Sequence, residues 1–186
     1  LQCLQVIGGS EAGLGAATAI FCISYAACEV PSNLVLARMG AGRTLMRIMV
    51  VWGLCTVAQM FVTGRVSLYV VRFLLGAAEA GFFPGLILYL SYWFPDAVRA
   101  RVNSVLLLAV PVAGMIGGPL SGWIMAQLQD TMGLRGWQWL FLIEGLPAIA
   151  PGLVAPLMVS DRPDRAAWLS PADRPGLVRG LDAERA

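Results

Sequence analysis

Five apolar stretches, at 14–36, 45–62, 68–93, 102–126 and 139–158, constrain this chain more than any other feature. Crossing roughly 30 Å of hydrocarbon takes about 20 helical residues, because each residue rises about 1.5 Å. Each stretch is therefore long enough to span a bilayer. A water-soluble chain of this size would show polar helix faces, and most of 12–159 shows none. Composition agrees: 58% of residues are hydrophobic and 13% charged, against about 25% charged in soluble domains. The fold expected is an all-α membrane protein of about five transmembrane helices. The short connections imply antiparallel neighbours in one bundle.

Arginine placement sets the expected orientation, since short cytoplasmic loops retain basic residues and translocated ones shed them. Arg38, Arg43, Arg47, Arg99, Arg101, Arg162, Arg165, Arg174, Arg179 and Arg185 fall on one side, and Arg65 and Arg135 on the other. That split puts residues 1–13 at the end of an external loop and 160–186 at the start of a cytoplasmic one. Within this tail, Ser170 followed by Asp173 forms a candidate capping box.

Several function classes are poorly served. Every basic residue is Arg and the net charge is only +2, which gives no nucleic-acid patch. Cys3, Cys22, Cys28 and Cys55 form no CxxC pair, and with no His in the chain neither a metal site nor any cofactor is expected. A membrane-embedded enzyme is the weaker alternative, because His-dependent bases and clustered Asp motifs are both absent.

The third stretch carries the most costly residues, Arg72 and Glu79. A charge at the bilayer centre costs at least about 2.5–3.5 kcal/mol on insertion scales, so each needs a partner or water. With Gly76 they occupy i, i+4 and i+7 and share one helix face, the charges about 10 Å apart along the axis. One reading is a cavity in which Arg72, with Gly76 beside it, binds an anionic substrate. Glu79 would then bind and release a coupling proton. The other reading is two structural charges satisfied by neighbouring helices.

Further candidates lie on the other stretches. Gly114, Gly118 and Gly122 repeat every four residues and form a ridge for close helix packing, with Pro119 adding a bend. Glu144 is either a second protonation site or a structural hydrogen-bond acceptor. Glu29 is expected to bond to a neighbouring helix. Trp137 and Trp139 suit an outer interface, where indole rings sit at headgroup depth. Arg38, Gly40 and Arg43 form a tight basic turn between the first two stretches.

In register along the chain, EVPSNLVLARMGAGR, RFLLGAAEAGFFPGLILYLSYWFP, RAR at 99–101, GGPLSG, GWQWLFLIEGLP and DRPDRAAWL resemble the anion:cation symporter branch of the major facilitator superfamily. That branch includes tartrate, phthalate and galactonate permeases, and the resemblance covers about 14–169. It implies that these stretches are helices two to six of a twelve-helix fold. The first helix and the second six-helix half would be missing partners, and the 186 residues alone would be an inactive piece. It also implies transport of a small organic anion, such as tartrate or a sugar acid, by proton symport with alternating access in a bacterial inner membrane. Arg72 matches the family's anion-facing Arg, and Glu79 its acidic residue implicated in proton coupling. Two departures stand out: Ala37 replaces an acidic residue of the family's loop motif, and Gly42 replaces a basic one.

Overall fold

The structure, a computed structural model, describes residues 11–160. Cys3, the Ser170–Asp173 capping box, the DRPDRAAWL string and the five Arg residues of the tail lie outside the described residues. Six α-helices account for nearly all of the rest: α1 (Glu11–Met39), α2 (Ala41–Ala58), α3 (Arg65–Glu79), α4 (Phe82–Trp93), α5 (Asp96–Gln127) and α6 (Gly136–Met158). A 3-10 turn, Gln59–Phe61, extends α2. Counting α3 and α4 as one rod, five helical rods are long and apolar enough to cross a membrane.

Two helix pairs hold the bundle together. The antiparallel α2 and α6 share the most extensive contact, and α1 runs in the same direction as α3. Glycines make the first pair close. A Cβ at Gly53 would lie 2.8 Å from the Gly145 carbonyl oxygen, and one at Gly145 would lie 2.8 Å from the Gly53 carbonyl oxygen. Two turns farther along α6, Gly152 meets Met49, and at the end Gly42 meets Pro156 and the Val159 carbonyl. At the opposite end Gln138 Nε2 donates to the Met60 carbonyl at 2.9 Å, fixing the register of the pair.

The apolar run 68–93, read as a single helix, is broken. Glu79 ends α3, and Gly81 takes the left-handed conformation at φ +83° before α4 begins. Pro84 supplies the physical reason. Its ring excludes the helical position of the carbonyl four residues earlier, at Ala80, and it is tolerated in the first turn of a new helix. Glycine at position 81 accepts the positive φ without a Cβ penalty.

The glycine ridge of α5 meets no partner helix among the described residues. No heavy atom among the described residues comes within 4 Å of a Cβ placed at Gly114, Gly118 or Gly122, and Pro119 is exposed beside them. The helix stays continuous through Pro111 and Pro119. Only its far end is tied to α6, where Gly136 abuts the Met125 backbone and Ser121 reaches Glu144. Small residues permit close approach but do not themselves supply the partner helix.

Candidate functional site

The α1–α3 seam is assembled from small residues. A Cβ at Gly76 would collide with the Phe21 carbonyl oxygen and with Ser24 Oγ. Beyond the helix break, Gly81 faces Ser32, its virtual Cβ 2.6 Å from Ser32 Oγ, and Gly85 meets Leu36. These three contacts set one register: α1 runs alongside both α3 and α4. Glu79 on α3, and Tyr25 and Glu29 on α1, lie between the Ser24–Gly76 and Ser32–Gly81 levels. Arg72 lies one turn from Gly76 on the side away from the break.

Gly76 is therefore not a surface offered to a solute, as its place beside Arg72 suggested. It is buried in the helix contact and serves close approach. Arg72 and Glu79 are half-buried, and the Arg72 Nε is fully shielded with no hydrogen-bond partner among the described residues. The Tyr25 phenol lies within electrostatic reach of both Glu29 and Glu79. Tyr25 was missed in the sequence, although it stands one turn before Glu29 on the same α1 face, the spacing that makes two side chains neighbours.

Glu144 lies elsewhere. It is exposed on α6 and accepts a hydrogen bond of 3.0 Å from Ser121 Oγ on α5, so it does not join the Arg72–Glu79 seam. Trp137 is 4% exposed, with its indole N–H enclosed and unpartnered among the described residues, and so is no headgroup anchor. Trp139 donates its indole N–H to the Thr131 carbonyl at 3.1 Å, in the connection before α6. In the basic turn, Gly40 adopts φ +87° between α1 and α2, which places Arg38 and Arg43 on exposed ends of the two helices. Arg47, grouped by sequence with these topological arginines, instead reaches across to α1 and donates from Nη2 to Ser32 Oγ at 2.7 Å. The described residues hold no cluster of His, Cys, Asp or Glu able to bind a metal ion.

The family model described as Major Facilitator Superfamily matches residues 3–181. The chain belongs to the major facilitator superfamily. Its helices are a portion of that superfamily's helical bundle. Among its relatives, a protein of Agrobacterium vitis assigned as a tartrate transporter is 46% identical over 182 residues, 98% of this chain and 40% of that protein. NicT of Pseudomonas putida, assigned as a metabolite transport protein, is 42% identical over 186 residues, 100% of this chain and 43% of NicT. A quinolone resistance transporter of Acinetobacter baumannii is 43% identical over 164 residues, 88% of this chain and 37% of that protein. The chain thus spans about two-fifths of the length of the relatives it matches. Family and relatives alike are transporters rather than enzymes.

Proposed function

We propose that the protein carries a small organic anion, a carboxylate such as tartrate or a sugar acid, across the inner membrane by alternating access, coupled to a proton. The observation that carries this reading is the Arg72 guanidinium, whose Nε is shielded from solvent and unpartnered on the helix face that also bears Glu79. A guanidinium presents five donors in a planar fork that matches a carboxylate. Left without an anion inside a membrane it is costly, which favours a bound solute as its partner.

Glu79 supplies the coupling. While it is protonated it adds no negative charge to oppose the anion at Arg72. When it ionises, a negative charge appears about 10 Å from that anion. At an effective dielectric of about 20 the repulsion is about 1.7 kcal/mol, a factor of about 18 in affinity. Proton release and anion release therefore favour one another. Tyr25 lies within electrostatic reach of both Glu29 and Glu79 and keeps the seam polar beside the coupling carboxylate.

The names of the relatives range from tartrate to quinolone, so the anionic class rests on Arg72 rather than on them. Uptake of a panel of sugar acids and dicarboxylates into proteoliposomes, driven by a proton gradient, tests the assignment. Arg72→Ala should abolish saturable binding of the anion. Glu79→Gln should retain downhill exchange and lose uphill accumulation. Unchanged proton-driven accumulation in both variants would remove the site.

A further inference from the structure

Arg43, Arg47, Val51 and Cys55 follow one another at intervals of four along α2 and so share one face. Arg43 lies at the start of the helix and is exposed; Cys55 is about 12 Å deeper than Arg47 along the axis. Opposite this face stand Leu74, Ala77 and Ala78 of α3, on the side of that helix away from Arg72 and Glu79. Arg47, Val51, Cys55 and these three residues line a cavity of about 340 Å3 between the two helices. Val51 and Leu74 are 41% and 50% exposed, so the cavity opens sideways between the two helices.

The groove is graded along its length. Its Arg47 end is cationic, with the exposed Arg43 one turn beyond the lining, its deep end is apolar, and none of the six lining residues is acidic. Ser32 takes one of Arg47's donors, and a guanidinium has five. The remaining donors point to an anion, and two arginines one turn apart match the oxygens of a phosphate. Ala77 and Ala78 leave the space that larger side chains would fill. A cationic head and an apolar trough about 12 Å long are complementary to a phospholipid standing with its headgroup at the helix end. Basic pockets between transmembrane helices on the cytoplasmic side hold anionic lipid headgroups in this way.

We propose that the α2–α3 groove binds an anionic phospholipid, with its phosphate between Arg43 and Arg47 and one acyl chain along Val51, Cys55, Leu74, Ala77 and Ala78. This site is separate from the anion seam, and its test does not depend on transport.

The probe is placed beside the trough so that it does not fill it. With Cys3, Cys22, Cys28 and Cys55 replaced by Ser, a fluorophore on Leu54→Cys, 55% exposed and outside the six lining residues, would be read in phosphatidylcholine nanodiscs. These would contain a minor fraction of phosphatidylglycerol or of phosphatidylcholine, brominated on the acyl chain in either case. The apparent association of the phosphatidylglycerol should exceed that of the phosphatidylcholine by about fivefold or more, and Arg47→Ala should remove about that factor. Arg47→Lys should keep a preference, because the charge remains. Val51→Trp, which leaves both arginines in place, should fill the trough and suppress quenching by the anionic lipid. Equal quenching by the two lipids in the parent chain would overturn the proposal, as would a preference that survives Arg47→Ala. Absence of quenching by either lipid would also overturn it, because protein rather than lipid would then cover the groove.

Discussion

A single missing methyl at position 76 lets α1 and α3 approach closely enough to enclose Arg72 and Glu79 in one seam. The atom a Cβ would meet first is not a yielding side chain alone but also the backbone carbonyl of Phe21. Gly76→Val should therefore separate the helices and cost about 1–3 kcal/mol, read as a lowered thermal unfolding temperature in detergent. Gly118→Ala on α5 provides the contrast, since nothing lies within 4 Å of its added methyl among the described residues. There the helix propensity of Ala should stabilise by about 0.5–1 kcal/mol. Equal penalties at the two sites would contradict the packing described. The common face of Arg72, Gly76 and Glu79 was legible in sequence, because helical spacing fixes which side chains point together. Which glycine meets another helix was not legible: Gly76 and Gly118 look alike in periodicity, and only the tertiary partner separates them. Arg47 was hidden for a similar reason, since a basic residue near a helix start reads as topological until Ser32 is found within its reach.

At the scale of elements, the five apolar rods follow directly from hydropathy, whereas the break inside the third does not. Averaging over a span conceals one non-helical residue. Proline alone was no guide, because Pro31, Pro111, Pro119, Pro147, Pro151 and Pro156 all sit within continuous helices. What distinguishes the break is a glycine three residues before Pro84, free to take positive φ where the proline has removed the helical alternative at Ala80. Gly81→Ala should therefore cost about 1–2 kcal/mol in backbone strain alone. The loss should be larger still, because the new methyl would press on Ser32. Pro84→Ala removes no hydrogen bond in a first helical turn and should change stability by less than about 1 kcal/mol. Thermal unfolding of the two variants side by side checks the ranking, and a Pro84→Ala variant as unstable as Gly81→Ala would show that the break has another origin.

For the whole molecule, the uneven placement of arginine makes a prediction about orientation that packing cannot make. Among the described helices, Arg38, Arg43, Arg47, Arg99 and Arg101 gather at the end where α1 and α4 finish and α2 and α5 begin, and Arg65 and Arg135 lie at the other. Basic residues in short loops resist translocation, so the first end is expected to face the cytoplasm. The same orientation would turn the Arg43 end of the lipid groove toward the leaflet that carries anionic lipid. Met39 and Met132 report on the two ends. They are 50% and 87% exposed; Met39 is the last residue of α1 and Met132 lies in the connection before α6. In a chain whose native cysteines are replaced by Ser, Met132→Cys should react with a membrane-impermeant maleimide on intact cells. Met39→Cys should react only after permeabilisation. The reverse pattern would invert the orientation and place the basic turn outside, while leaving the helix contacts and the Arg72–Glu79 seam unchanged.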